Sequence, residues 1–280
     1  MSLSPVDRDY LQGLIRQARD PRPEGWQTWW LQGQPHPLGL LSAERAHTLR
    51  QALPSHMPLV LEGNHWVWHA GTATAQERST LLQTIAQQLH AKGQLSGWRD
   101  EAYACWGWTE EEWPYHGPEL FRLERAAYRF FGLRSHASHV HGITPDGRMW
   151  CGRRASNKAT DPGLLDNLAA GGLPAGEHPA VCAVREIQEE AGLTRTLEQL
   201  TTLNDVPTTE RAEKEGWHSE RLFIYSTTLM EGEIPVNLDG EVSEFLCLEI
   251  PEVLQRMRSR EFTRDAACAI AVLLLSQAPR

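Results

Sequence analysis

The sequence has few cysteines, and they are widely spread. It contains Cys105, Cys151, Cys182, Cys247 and Cys268. No two of them have the spacing of zinc ligands or of a redox motif. An odd number of cysteines in a chain of 280 residues also argues against a disulfide framework. We therefore expect neither a zinc module nor a disulfide-stabilised secreted domain.

Long apolar segments are also missing. The first residues, MSLSPVDRDYLQGL, lack the apolar run of a signal peptide. The longest apolar run, AACAIAVLLL near the C-terminus, has about half of the ~20 residues that a membrane span requires. We therefore expect this run to form a buried helix, and we expect a cytoplasmic protein with no membrane partner.

Positive charge is in short supply. The chain has 27 Lys and Arg residues against 36 Asp and Glu residues, which gives a net charge of −9. General nucleic-acid binding requires a basic face, so no nucleic-acid partner is expected. A phosphate-containing substrate remains compatible with this balance, because local cations or a metal ion can invert the potential at one site.

The chain is long enough for one large domain or two ordinary ones. Up to about residue 100, predicted helices alternate with two hairpins, one with its turn at GQP and one around Gly63-Asn64. Residues 119–133 have the pattern of a helix, and a β-rich stretch follows them. We therefore predict an N-terminal α/β domain over residues 1–118 and an α+β domain over residues 119–280.

Residues 171–193, GGLPAGEHPAVCAVREIQEEAGL, carry the most informative pattern. Pro179 suits the first helical position and Gly192 suits the position after a helix. On this helix Glu186, Glu189 and Glu190 fall within an arc of ~100°. One alternative is a solvated helix face, since like charges at this spacing cost only a few tenths of a kcal/mol.

The other alternative is a metal site. Three carboxylates at close range form a hard, oxygen-rich ligand set that suits Mg²⁺ or Mn²⁺. Arg185 lies at the edge of this cluster and can orient one carboxylate. The glycines of the preceding turn, Gly171 and Gly172, can bring the backbone close to a ligand. On the face opposite the glutamates, the pattern places Val181, Val184 and Ile187 toward a core.

The whole stretch resembles the Nudix box, G-x5-E-x7-R-E-U-x-E-E-x-G-U, where U is aliphatic. Every fixed position is filled, and the residues are Gly171, Glu177, Arg185, Glu186, Ile187, Glu189, Glu190, Gly192 and Leu193. The resemblance implies a Nudix fold, with a mixed β-sheet between helices. It also implies that Mg²⁺ or Mn²⁺ assists hydrolysis of a small-molecule diphosphate linked to an organic group. Dimers are common in this fold, so a homodimer is compatible with it.

The resemblance also assigns roles to individual residues. In the family, the glutamates matching Glu186, Glu189 and Glu190 are the usual metal ligands and take part in catalysis. The arginine matching Arg185 and the glutamate matching Glu177 hold the loop and helix in place.

Three further segments resemble one Nudix subgroup. They are WRDEAYACWG, LERAAYRFFGLRSHASHVHGIT and MWCGRRASNKATDPGLLDNLAAGG. Members of this subgroup carry an extra N-terminal domain and are similar to Nudix proteins related to thiamine pyrophosphokinase. The resemblance implies hydrolysis of thiamine diphosphate or an oxidised analogue to the monophosphate and phosphate.

Three alternatives remain open. One is an ADP-ribose or dinucleotide pyrophosphatase, which the box cannot distinguish. The second is an isomerase of the isopentenyl-diphosphate type, although the sequence shows no suitable pair of cysteine and glutamate. The third is a non-catalytic binding module, although such modules usually lose box glutamates.

Residues outside the box complete the predicted site. Arg153, Arg154 and Lys158 precede the glycine turn and are candidates for binding the terminal phosphate, although solvated basic residues would have the same pattern. A late loop commonly supplies a fourth carboxylate in this family. We prefer Glu241 to Glu244, because their side chains would point to opposite faces of a strand.

Histidines and tryptophans give weaker signals. His139 and His141 share one face of a predicted strand, which is more typical of hydrogen-bonded core histidines than of zinc ligands. The eleven tryptophans favour core packing. The alternative is that one of them stacks on a flat heteroaromatic ring of the substrate.

Overall fold

The computed structural model describes residues 3–108, 118–158 and 160–277. Its helices are α1 (Pro5–Arg16), α2 (Ala43–Ala52), α3 (Ala75–Ala91), α4 (Ala126–Phe131), α5 (Pro179–Ala191), α6 (Ile250–Arg258) and α7 (Arg264–Gln277). Its strands are β1 (Gln27–Leu31), β2 (Gly39–Leu41), β3 (Leu59–Glu62), β4 (His65–Trp68), β5 (Ala102–Cys105), β6 (Phe121–Glu124), β7 (Arg134–Ile143), β8 (Met149–Arg154), β9 (Leu165–Asp166), β10 (Ala169–Gly172), β11 (Thr201–Thr202), β12 (Thr208–Glu213), β13 (Gly216–Thr228) and β14 (Val242–Leu248). Within the described ranges, no helix combines the length and apolar composition that crossing a bilayer requires.

The C-terminal part is built on one mixed β-sheet. Its strand order is β11-β13-β7-β8-β14, with β10 paired to β7, β12 to β13 and β9 to β8. β13 and β7 run parallel, whereas β7 and β8 run antiparallel. The predicted α+β arrangement with a mixed sheet is confirmed.

Helices cover both faces of this sheet. Because side chains alternate along a strand, Leu222 and Ile224 of β13 pack into one core, and Phe223 and Tyr225 pack into another. The first core also contains residues of α1, α6 and α7, and the second contains the inner face of α5. The predicted sandwich of a sheet between helices is therefore present.

The first and last helices of the described chain pack against each other. Leu11 of α1 is fully buried in the core that contains Ile270 and Leu273 of α7. The predicted buried helix near the C-terminus is confirmed, since α7 is buried along most of its length. The domain boundary proposed at residues 118/119 stays a proposal. Helix α1 precedes this boundary in sequence but packs into the core of the C-terminal part.

The N-terminal part has its own four-stranded sheet, in the order β2-β1-β4-β3. Both predicted hairpins are confirmed, since β1 pairs with β2 and β3 pairs with β4 in antiparallel fashion. Gly63 forms the second turn with a φ of +62°, a conformation that glycine adopts without steric cost. Trp29 and Trp68 are fully buried in this core, as the packing interpretation of the tryptophans predicts.

One element prediction is wrong. Residues 119–133 were expected to be a single helix, but they form the strand β6 followed by the short helix α4. In β6 Phe121 and Leu123 are buried while Arg122 is exposed, which is the alternation of a strand. β6 pairs with β5, so a partner distant in sequence outweighs the local helical pattern.

Candidate active site

Helix α5 presents the glutamates. Its predicted ends are confirmed: Pro179 occupies the first turn, and Gly192 ends the helix with a φ of +65°. Its buried apolar face differs from the prediction, because it contains Ala183 and Ile187, whereas Val181 is exposed. The helix is rotated so that Glu186 and Glu190 are also buried.

Arg185 connects the helix to the preceding loop. Its guanidinium donates to both carboxylate oxygens of Glu177, each at 3.0 Å. It also donates to Glu186 Oε1 at 2.7 Å and to Glu189 Oε2 at 2.9 Å. The hydrogen bonds that Arg185 donates to Glu177 are the largest cause of the raised pKa of Arg185. The guanidinium of Arg185 thus holds three acidic side chains in fixed positions relative to one another.

Glu186 and Glu190 are buried carboxylates. Their exposed fractions are 9% and 8%. Burial raises the pKa of Glu186 to about 7, against the opposing charge of Arg185. Burial, with repulsion from Glu186, also raises the pKa of Glu190, although Glu190 accepts a hydrogen bond from Ala170 N at 2.9 Å. A cation placed here would favour the charged form of both groups.

The two glycines lie against these side chains in β10. A Cβ atom on Gly171 would come within 1.9 Å of Glu186 Oε1. A Cβ atom on Gly172 would come within 1.7 Å of the hydroxyl oxygen of Tyr103. Only glycine at these two positions therefore lets β10 pack against both α5 and β5.

A loop before β14 adds two carboxylates. Glu190, Asp239 and Glu241 each place a carboxylate oxygen within 4.8 Å of the others. Glu241 also pairs with Lys158. Burial alone would raise the pKa of Glu241, but the hydrogen bond and charge of Lys158, with smaller effects of the Arg99 and Arg154 charges, lower it.

These carboxylates fit a divalent cation. Hard oxygen donors from Glu190, Asp239 and Glu241, next to the buried Glu186, match the preference of Mg²⁺ and Mn²⁺. Glu189 is more exposed, with 49% of its side chain accessible. Of the predicted ligands, Glu190 and Glu241 come together directly, and Asp239 joins them. Asp239 was not among the predicted ligands.

The box borders a cavity of about 340 Å³. At the box end its carboxylates are Asp166, Glu186, Glu189, Glu190, Asp239 and Glu241. The cavity is also lined by Asp161, Glu220, Asp265, His139 and His218. The basic lining residues after residue 133 are Arg154, Lys158, Arg185 and Arg211. Residues 99–129 contribute Arg99, Glu101, Tyr103, Arg125 and Arg129. Such a volume is typical of small-molecule sites.

The predicted substrate-binding residues divide into two groups. Arg154, Lys158, Gly171 and Gly172 line the cavity. Arg154 donates to Asp166 at 3.0 Å and to Thr160 O. Arg153 is not among the lining residues, because its side chain lies across β14 and pairs with Glu244. This geometry also directs Glu244 away from Glu190.

A second cluster that lines the cavity, His218, Glu220 and Asp265, was not predicted. Asp265 accepts from Arg211 at 2.9 and 3.2 Å, so its carboxylate is already satisfied. Glu220 accepts from Ser135 Oγ at 2.8 Å, and burial raises the pKa of Glu220. These residues come from strands and a helix far apart in sequence, and no spacing in the chain signals their meeting.

Histidines and tryptophans have mainly structural positions. His139 and His141 are buried in β7, and both contact the side chain of Asn167. Among the residues that the structure describes, no tryptophan lines the cavity, and Tyr103 is its one phenol or indole ring. The geometry therefore gives no support to tryptophan stacking on the substrate.

Comparisons with known proteins agree with the box. Residues 133–266 match the family model described as the NUDIX domain, and residues 58–135 match one described as a domain of unknown function (DUF4743). Nudix hydrolase 24, chloroplastic, of Arabidopsis thaliana is 31% identical over 214 residues, which cover 75% of this chain and 57% of that protein. Nudix hydrolase 20, chloroplastic, of the same plant is 30% identical over 201 residues, covering 71% of this chain and 52% of that protein. The chain thus spans little more than half the length of either relative.

A solved structure gives a further likeness. The NUDIX domain of NrtR from Shewanella oneidensis, complexed with ADP ribose, has a TM-score of 0.42 and 15% identity. The match covers 54% of this chain and 97% of that domain. Residues 133–266 of this chain therefore match the NUDIX domain and contain a complete box, in a chain similar to plant Nudix hydrolases.

Proposed function

We propose that the protein is a divalent-metal-dependent diphosphohydrolase. The observation that carries the proposal is the convergence of Glu186, Glu190, Asp239 and Glu241 beside a glycine turn in one cavity. Glu186 and Glu190 are both buried, and two buried carboxylates that repel each other are costly unless a cation neutralises them. The filled Nudix box and the similarity to named Nudix hydrolases support the same reaction.

The residues of the site divide the work. Glu190, Asp239 and Glu241, with Glu186 beside them, would hold Mg²⁺ or Mn²⁺, and Arg185 keeps Glu186 and Glu189 oriented. A bound cation would polarise the phosphoryl oxygens and offset the charge that builds up during transfer. Glu186, a buried carboxylate beside the cation site, would accept a proton from the attacking water. Arg154 and Lys158 stabilise the departing phosphate.

The substrate we propose first is thiamine diphosphate or an oxidised analogue. The three segments that resemble the thiamine-related Nudix subgroup support it. Water would attack one phosphorus, and the products would be the monophosphate and inorganic phosphate. ADP-ribose or a dinucleotide is the alternative substrate class, because the box serves both.

Two other readings are less well supported. An isomerase of the isopentenyl-diphosphate type needs a cysteine at the site, and the described residues that line the cavity include no cysteine. A non-catalytic binding module would not need the complete set of box glutamates. A cytoplasmic location stays a proposal, since the two plant relatives are named chloroplastic. A homodimer also stays a proposal.

A substrate panel tests this proposal. Phosphate release is measured with Mg²⁺ and with Mn²⁺ on thiamine diphosphate, its oxo and oxy analogues, ADP-ribose and a dinucleoside diphosphate, with added phosphatase for the last two. Preference for the thiamine compounds supports the proposed substrate. Preference for ADP-ribose keeps the reaction and replaces the substrate. No metal-dependent hydrolysis of any compound would contradict the proposed function.

A further inference from the structure

The wall of the cavity that faces the Nudix box comes from the region of unknown function. Arg99, Glu101, Tyr103, Arg125 and Arg129 all lie within residues 58–135 and line the cavity. This wall is rich in arginine. The lining residues after residue 133 include more carboxylates than basic side chains, so the two walls have opposite net charge.

The arginine wall is in direct contact with the glycine turn. The guanidinium of Arg125 lies 5.4 Å from the ring centroid of Tyr103. The hydroxyl of Tyr103 occupies the space that a side chain on Gly172 would need, and Glu186 occupies the space beside Gly171. Tyr103 thus connects Arg125 to the backbone of β10 next to the box. Its side chain is 41% exposed, so its donors can reach a ligand.

Arg99 is the second arginine of this wall that we consider. It is exposed, it lines the cavity, and it lies close enough to Glu241 for its charge to lower the pKa of that carboxyl. Among the residues that the structure describes, it forms no side-chain ion pair within 4.0 Å. Arg99 and Arg125 therefore line the same cavity as the box glutamates.

A buried carboxylate holds this wall in place. Glu124 is 1% exposed and accepts hydrogen bonds from the backbone N–H groups of Arg99, Glu101 and Ala126 at 3.1, 3.1 and 3.2 Å. The backbone N–H of Arg125 donates to Glu101 O at 2.9 Å. The segments that carry the two arginines are therefore fixed before any ligand binds, which reduces the entropic cost of binding.

Charge balance indicates what this wall binds. A cation already held by several carboxylates has few coordination positions left for the oxygens of a diphosphate, and the carboxylates of the box repel the oxygens that remain. Arginine donors in a fixed fork are the side chains best matched to phosphate oxygens. We propose that Arg99 and Arg125 bind the diphosphate oxygens that face away from the metal, so that the region of unknown function completes the substrate site. This inference rests on the proposed function, because the bound diphosphate is taken to be the substrate of that reaction.

The test uses the full chain and four variants. Arg99→Ala and Arg125→Ala remove the two arginines. Removing Arg125 leaves Glu101, its partner at 2.7 Å, unpaired, so Glu101→Ala/Arg125→Ala is measured as well. Arg122→Ala is the matched control, because Arg122 lies in β6, pairs with Glu119, and is outside the cavity lining.

The first readout is calorimetric binding of inorganic pyrophosphate in the presence of Mg²⁺. We expect at least tenfold weaker binding in both single variants and in the double variant, and a change below twofold in the control. For the compound that the wild type hydrolyses best, KM should rise at least tenfold while Mn²⁺ affinity stays unchanged.

Three outcomes would overturn the inference. They are no pyrophosphate binding by the wild type, binding within twofold of wild type in both single variants, or restored binding in the double variant, which would attribute the Arg125 effect to Glu101. If the wild type hydrolyses nothing in the panel, the proposed function fails, while the pyrophosphate comparison still decides whether the wall binds phosphate.

Discussion

Glu186 couples the protonation of the site to metal binding. Burial raises its pKa from 4.5 to about 7, so the metal-free folded state binds a proton that the unfolded chain has lost. The stabilisation from this group is complete below pH 4.5 and is lost as pH rises to about 7, by up to ~1.4 kcal/mol per pH unit. A bound cation requires the deprotonated carboxylate, so metal affinity should rise over the same window.

We therefore predict that the stabilisation by Mn²⁺ grows between pH 5.5 and 7.5. Thermal unfolding with and without Mn²⁺ measures it. His136, His141 and His218, whose pKa values burial lowers to about 3, contribute the opposite trend, a loss of stability as pH falls below 6.5. Subtracting the pH dependence of the thermal stability of Glu186→Gln from that of the wild type removes the contribution of these histidines. A wild type and a Glu186→Gln variant with the same pH dependence would refute the coupling.

Glu190 is the residue whose loss should separate chemistry from folding. Glu190→Gln keeps an acceptor for Ala170 N, removes a buried charge and removes a metal donor. We predict a loss of turnover of ~10²-fold or more, with thermal stability unchanged or raised. Glu244→Gln is the control, since Glu244 pairs with Arg153 outside the cavity. Full activity of Glu190→Gln would contradict the assigned site.

Several site residues could not be predicted because their signal is tertiary. Glu186, Glu189 and Glu190 lie on one helix, so local spacing finds them. Asp239 reaches the cavity because the loop before β14 lies beside Glu190, and Arg125 does so because β6, which it follows, pairs with β5, whose Tyr103 packs against Gly172. Arg153 was wrongly predicted to bind the substrate for the same reason. Pairing of β8 with β14 brings Arg153 to Glu244, and local sequence spacing cannot predict a partner that lies on a distant strand.

At the scale of elements, the contact between β10 and β5 depends on glycine. An alanine at Gly172 would overlap the hydroxyl of Tyr103, which is buried and rigid. We predict that Gly172→Ala destabilises the fold by ~1–3 kcal/mol, as overpacking of a filled site does. Urea unfolding measures the change.

The matched control is Gly13→Ala in α1. There a Cβ atom would meet nothing closer than 3.9 Å, so alanine should stabilise the helix by up to ~1 kcal/mol. Equal effects of the two substitutions would show that Tyr103 does not pack against the turn as described.

Elements were predictable where their signals are local. Helix α5 has Pro179 at its start and Gly192 at its end, and the hairpin of β3 and β4 has Gly63 in its turn. The segment 119–133 was mispredicted because its strand forms only by pairing with β5. The buried face of α5 was mispredicted because Glu186 and Glu190 face the site from inside, where hydrophobic patterning expects apolar residues.

For the molecule as a whole, the packing of α1 on α7 joins the two ends of the described chain. Leu11 is fully buried in the core of the C-terminal part. We predict that Leu11→Ala lowers the free energy of unfolding by ~2–5 kcal/mol, as measured by urea denaturation. Leu197→Ala, at a residue that is 50% exposed, should change it by less than ~1 kcal/mol. Similar small changes in both would place α1 outside the folded core.

The most direct test of the account is a calorimetric titration of the metal-free protein with Mn²⁺ at pH 7.5. The central claim is that carboxylates of the Nudix helix and of the β14 loop form one cation site. We predict saturable binding in the wild type and in Glu244→Gln, and at least tenfold weaker binding in Glu190→Gln and Glu241→Gln. Absence of binding in the wild type, or equal binding in all four proteins, would contradict it.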